Sequence, residues 1–309
     1  MEVCESKKHM NINFFFEVLI GGLLSGVMYA LVALGFVLIY KASGVFNFAP
    51  GAMVFFAALT CVGVMSKFNV SLWLAIPITM AVMVVLGLLI EKIVLRPLVN
   101  QPEITLFMAT IGLSFFIEGL GQMMWGSEVR KLDLPIADVP IQSLLDKFNI
   151  SISQFDVVSA GICALLVTAL ALLFSKTKIG RALRAVADDH QAALAVGIPL
   201  QYIWAVVWAV AGFVALVAGL LWGSRNGVQF SLTFVALKAL PVLILGGFTS
   251  VPGAIVGGLI IGASEKLAEV YIGPMVGGGI EGWFPYVLAL LFLLVRPEGL
   301  FGEKVIRRI

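Results

Sequence analysis

Long apolar runs separated by short polar punctuation dominate the chain, at about 14–40, 48–66, 71–95, 104–125, 155–174, 201–223, 231–247, 251–272 and 283–295. A helix needs roughly 20 mostly apolar residues to cross a bilayer, and most of these runs reach or approach that length. The pattern predicts an all-α, polytopic integral membrane protein with 8–9 transmembrane helices, organised as a single transmembrane domain over 1–309. The 231–247 run carries Lys238, Pro241, Gly246 and Gly247, so it reads as a broken or re-entrant helix. Such backbone persists at membrane depth only when buried in protein or lining a cavity. The first run is long and lacks a small-residue cleavage site, so it reads as a retained span and not a signal peptide.

Composition agrees. Hydrophobic residues make up 61% and charged residues 12%, against roughly 25% charged in soluble domains. The net charge of +2 offers nothing to nucleic acid. Cys4, Cys61 and Cys163 are scattered, and His9 and His190 lack partners at ligand spacing, so neither a disulfide framework nor a metal site is expected. No cofactor is expected.

Basic residues orient the spans. If 175–200 is cytoplasmic, alternation puts Lys41, Lys92, Arg96, Lys176, Lys178, Arg181, Arg184, Arg296, Lys304, Arg307 and Arg308 inside. Lys7, Lys8, Lys67, Arg130, Lys131, Lys147 and Arg225 then lie outside. The excess favours N-out, C-in, with 126–154 as a periplasmic loop. That loop reads either as a short extended cap or as a disordered segment.

Gly22 and Gly26, Gly253 and Gly257, and Gly258 and Gly262 stand four apart, as close helix packing requires. Burying a charge at mid-bilayer costs about 3 kcal/mol or more, so intramembrane ionisable groups default to pathway or pairing roles. Glu91, Glu118, Lys238, Glu265, Lys266 and Glu269 are such groups. Glu91 and Glu269 stand near span ends, within reach of water. Lys238 is expected to pair with an acidic group on a neighbouring span, with cargo contact as its alternative role. Asn47, Glu118, Lys238 and Glu265 are the candidate pathway or buried-charge residues.

Residues 175–200, SKTKIGRALRAVADDHQAALAVGIPL, are long and polar for a membrane turn. They read as two short helices. The first covers 179–187. Asp188 is expected to cap the second, with Gln191 at capping-box spacing, and Gly197 to stop it. An ordered amphipathic elbow suits docking to another protein. It would equally suit a helix held on lipid headgroups by Lys176, Lys178, Arg181 and Arg184.

The run Gly180-Arg181-Ala182-Leu183-Arg184-Ala185-Val186-Ala187-Asp188-Asp189, with Ala192-Ala193 and Gly197-Ile198, resembles the coupling loop of branched-chain amino-acid ABC transporter permeases. Val45-Phe46-Asn47-Phe48-Ala49-Pro50-Gly51-Ala52 is similar to that family's NFA-x-G segment, and Ala109-Thr110-Ile111-Gly112-Leu113-Ser114 to its ATIGLS segment. Leu237-Lys238-Ala239, Leu245-Gly246-Gly247, Pro252-Gly253-Ala254 and Gly257-Gly258 resemble a further stretch. Arg296-Pro297-Glu298-Gly299-Leu300-Phe301-Gly302 looks like its C-terminal RPxGLxG. Pro50 departs from the polar residue expected there.

The resemblance implies an ABC-importer permease-like bundle in the bacterial inner membrane, similar to the shorter of two permease subunits. It implies a second permease subunit, two ATP-binding cassette subunits, a periplasmic solute-binding protein and an amino-acid substrate. Urea, short amides or other small acids are the alternative cargo. The coupling residues it implies are Gly180, Arg181, Arg184, Ala185, Asp188, Asp189, Ala192 and Gly197. The chain contains no G-x-x-x-x-G-K-[ST] phosphate loop, so ATP would be bound on another chain. No Ser/His pair or paired aspartates point to an intramembrane enzyme. A stand-alone secondary transporter is the rival class.

Overall fold

The computed structural model describes residues 12–44, 46–98, 101–188 and 190–302. Cys4, Lys7, Lys8, His9, Val45, Asp189, Lys304, Arg307 and Arg308, used in the readings above, lie outside the described residues. Among the described residues the fold is helical without named strands. Backbone N–H and C=O groups find no partners in hydrocarbon, and helices satisfy them internally.

The elements are α1 (Ile12–Ser43), α2 (Ala49–Phe68), α3 (Leu72–Leu89), α4 (Glu103–Trp125), α5 (Gln142–Phe148), α6 (Gln154–Lys176), α7 (Lys178–Asp188), α8 (His190–Ala195), α9 (Leu200–Asn226), α10 (Thr233–Gly246), α11 (Val251–Tyr271), α12 (Gly273–Val276) and α13 (Phe284–Val295). Seven of the described helices are long and apolar enough to cross a membrane, and two shorter apolar segments, Phe230–Gly246 and Phe284–Val295, occupy the remaining predicted positions. A π-helical stretch, Ile90–Leu95, extends α3.

The chain divides into two compact units. One holds the described residues up to Leu31, Pro135–Leu166 and the chain from Lys238 onward; the other holds Val32–Leu134 and Val167–Leu237.

In the second unit α2 is the buried centre, with residues from Ala49 to Val64 enclosed. It packs against α3, α4 and α9. Small residues set the approach. A Cβ on Gly219 of α9 would sit 2.5 Å from the Val54 carbonyl, and one on Gly87 of α3 would sit 3.0 Å from that of Trp208. Past α4, Arg130 and Val228 form an isolated antiparallel bridge. That bridge joins the α4 exit to the α9 exit, one helix length from the α7–α8 end of α9.

In the first unit α1 and α11 cross on glycines. A Cβ on Gly22 would meet the Gly262 carbonyl at 2.7 Å, and one on Gly26 the Gly258 carbonyl at 2.5 Å. Ser250 caps α11 by accepting from Gly253 N–H at 3.0 Å. The final carbonyls of α10 are met by the C-terminal strap: Leu300 N–H donates to Leu245 at 2.8 Å and Phe301 N–H to Gly246 at 3.1 Å. The loop over 126–153 holds α5 and a bridge between Pro140 and Ser153. The Ser151 N–H donates to Glu17 at 2.9 Å, tying the loop to α1. The loop thus holds one short helix, isolated bridges, and irregular backbone with a bend over 131–139.

Candidate functional site

Among the described residues, three places hold most of the candidate site residues. The first lies in the unit that contains α11. Lys238 Nζ donates to Glu265 Oε1 at 2.9 Å, and the Tyr29 hydroxyl donates to the same oxygen at 3.2 Å. Lys238 also lies 5.8 Å from the centroid of the Tyr29 ring. Glu265 is 1% exposed, whereas the Lys238 side chain is 27% exposed. Glu265 Oε2 has no hydrogen-bond partner among the described residues. The acidic partner expected for Lys238 is therefore Glu265, and Tyr29 is an addition the sequence reading lacked. A buried phenol and a partly exposed ammonium on one carboxylate oxygen compensate its desolvation.

The next residue, Lys266, bonds Glu281 at 2.9 Å. Glu269 accepts from the N–H groups of Gly279 at 2.8 Å and Glu281 at 2.9 Å. The hydrogen bond from Lys266 holds the Glu281 carboxyl below its ordinary value, against the opposing effect of partial burial. Glu265 and Lys266, adjacent in sequence, thus bond different partners, as their positions on different helix faces require.

The second place is the start of α2. The Asn47 side-chain oxygen accepts from Ala49 N–H at 2.8 Å, and Phe48 N–H reaches Thr110 Oγ1 of α4 at 3.5 Å. Pro50 stands in the first turn, where a missing N–H costs nothing, so the departure noted in the sequence is sterically benign. Asn47 is 4% exposed. Glu118, on α4, is 8% exposed and forms no hydrogen bond or ion pair with the described residues. Glu118 and Asn47 are not brought into contact.

The third place is the elbow. The Thr177 hydroxyl accepts from Gly180 N–H at 3.2 Å, the geometry of an N-cap. The first elbow helix therefore runs Lys178–Asp188, with Asp188 as its last residue; the expected cap of α8 runs through Asp189, outside the described residues. Gly180 packs directly on the Phe174 carbonyl. Arg184 Nη1 donates to that same carbonyl at 2.7 Å, closing the end of α6. Arg181 and Arg184 are exposed, while Leu183 and Val186 are buried beneath them. Ala185 lies between those faces and Ala193 is buried on α8, beside the candidate Ala192. At the far end Gly197 has φ +84°. Its N–H bonds Leu194 at 3.0 Å, and Ile198 N–H bonds Ala193 at 3.0 Å. This paired closure is a Schellman motif, which needs the left-handed residue that glycine supplies.

Glu91 was expected to reach water. It is instead 3% exposed and takes bonds from Arg96 at 3.2 Å. Five residues separate the pair, and the π-helical backbone between them brings the two side chains together.

The model of the family described as branched-chain amino acid transport system / permease component matches residues 18–296. The branched-chain amino acid permease protein LivH of Salmonella typhimurium is 28% identical over 311 aligned residues, covering 96% of this chain and 98% of its own. BraD of Pseudomonas aeruginosa is 28% identical, covering 96% and 99%. The fructose import permease FruF of Bifidobacterium longum is 25% identical, covering 80% and 69%. Seven apolar spans and bacterial permease relatives make the protein a multi-pass inner-membrane protein. The match extends over nearly the whole bundle, so the chain belongs to the branched-chain amino acid transport system permease family.

Proposed function

We propose that this chain is one permease subunit of an ATP-driven importer for branched-chain amino acids. It lies in the membrane with 126–154 in the periplasm and 175–200 in the cytoplasm. The observation that carries the reading is the elbow, a helical hairpin capped by Thr177 and closed by the Gly197 turn. An element closed at both ends can transmit a push, which a loose loop cannot. Its partners on this reading are a second permease subunit, two ATP-binding cassette subunits and a periplasmic binding protein. The chain carries no phosphate loop of its own, so hydrolysis belongs to the cassette subunits. The relatives that cover most of both chains are named for branched-chain amino acids, whereas the fructose permease aligns less fully; that difference supports the amino-acid cargo.

The test joins topology to transport. Single cysteines at positions 140 and 184 should label from the outside and the inside, respectively. The purified complex, reconstituted with its cassette subunits and binding protein, should import leucine only with ATP. Reversed labelling would overturn the orientation. Gradient-driven uptake by this chain alone would make it a secondary transporter.

A further inference from the structure

The beginning of α2 is unusual for its depth. Val228 is held at the bridge to Arg130 by bonds of 2.8 and 3.1 Å. Five residues later, at Thr233, the chain has already reached the first turn of α2, where a Cβ on Gly51 would lie 2.8 Å from the Thr233 carbonyl and 3.0 Å from the Ala236 side chain. Gly63, fourteen residues up α2, packs on Trp125 at the α4 exit. The start of α2 thus lies about 21 Å below that end of the bundle, within the apolar thickness. There the first turns of α2 and α10 meet, and both bring the positive ends of their helix dipoles.

The donors at this point are nearly all spent. Phe48 N–H bonds Thr110, Ala49 N–H bonds the Asn47 oxygen, and Pro50 has no N–H. The bond from Ala49 fixes which end of the Asn47 amide is oxygen. Its other end, Nδ2, is buried and has no partner among the described residues. A buried donor left unpaired is costly, and a transient partner would offset that cost. Helix N-termini inside a membrane favour anions. Beside them, Phe46 and Phe48 meet edge-on at 5.0 Å and Phe48 and Phe107 at 5.4 Å, an apolar wall.

We propose that Asn47 Nδ2, with the converging first turns of α2 and α10, binds the carboxylate of an apolar amino acid as it passes through the permease. The inference rests on the importer reading above. On that orientation the site lies toward the cytoplasmic half of α2, so it would hold cargo late in its passage.

Asn47→Asp and Asn47→Ser test it. Both keep an oxygen to cap Ala49, and Asp ranks with Asn as a cap. Both delete the amide donor, and Asp also repels a carboxylate. If Asn47 only caps α2, the Asp variant should transport normally. If it binds cargo, the Ser variant should retain wild-type thermal stability and assemble with its partner subunits. Leucine uptake should then fall about tenfold or more, with Asp the worse, as the loss of a hydrogen bond to a charged group dictates. A wild-type complex that fails to import leucine overturns the importer reading and the site with it. Wild-type import with unchanged import in both variants overturns the site alone. Loss of folded protein in both variants would assign Asn47 to the fold and likewise overturn it.

Discussion

Replacing Lys238 with Met should destabilise the protein more than any other single change to the buried polar cluster. The change leaves Glu265, 1% exposed, with only the Tyr29 hydroxyl as donor. Breaking a buried ion pair by removing one partner costs about 3–5 kcal/mol, because a charge is left uncompensated. The lower end applies here, since the Lys238 side chain is 27% exposed and its bond is already partly screened. Glu265→Gln should cost less, about 1–2 kcal/mol, since the ammonium it orphans can turn toward the exposed side and the amide still accepts. Tyr29→Phe removes one hydrogen bond and should cost about 1 kcal/mol. The double change Lys238→Met with Glu265→Gln should be milder than the two single losses combined, with a coupling of about 2 kcal/mol. Reversible unfolding of purified protein in mixed micelles of increasing SDS measures all four. Strict additivity, or a Lys238→Met protein within about 0.5 kcal/mol of wild type, would refute the pairing argument. Leucine uptake in the same variants separates roles: stability retained with uptake lost would make Lys238 a cargo contact.

Two further predictions follow from close packing and from the elbow. Gly26→Val should cost about 3 kcal/mol and lower the folded yield, because its Cβ would fall 2.5 Å from the Gly258 carbonyl, while Gly21→Val, with nothing within 4 Å, should be near neutral; equal yields would show that α1 and α11 do not rely on this crossing. At the elbow, Gly197→Val should strain the φ +84° turn by about 1–2 kcal/mol. Arg184→Ala should loosen the joint with Phe174, whereas Arg181→Ala should leave stability unchanged and lower cassette-subunit association in pull-down; undiminished association in all three variants would return the elbow to the membrane surface.

The apolar runs were legible because any membrane span must be apolar, whatever it packs against. Their ends were less so: α1 continues to Ser43 through Lys41, since helix formation does not stop where hydrocarbon does. Gly197 was legible because only a left-handed turn suits that closure. The capping of α7 by Thr177 was missed, since Asp188 with Gln191 offered a stronger local signal than Thr177 with Gly180. The Lys238–Glu265 bond joins residues from different helices, and nothing in a single sequence says which helices are neighbours. Glu91 and Arg96 stand five apart, a spacing that an α-helix would point away from each other, so a reading in α-periodicity could not pair them. Asn47 was legible as part of a motif, whereas its unpaired nitrogen became visible only with Thr110, Pro50 and Ala49 in place.

Glycines from three separate stretches answer to one another at the end of α10. Gly246 packs directly on Gly253, the first turn of α11. Gly247, at φ +103°, would place a Cβ 2.8 Å from the Gly302 nitrogen. Gly299, at φ +81°, would place one 2.7 Å from the Gly247 nitrogen. The C-terminal strap can meet the carbonyls of Leu245 and Gly246 only because the three backbones come this close. A helix of 14 residues, about 21 Å long, leaves its last carbonyls without intrahelical donors. The strap supplies those donors. The stretches LGG, PGA and RPEGLFG, far apart in the chain, are therefore one structural joint, and a side chain added to any one of them displaces the other two.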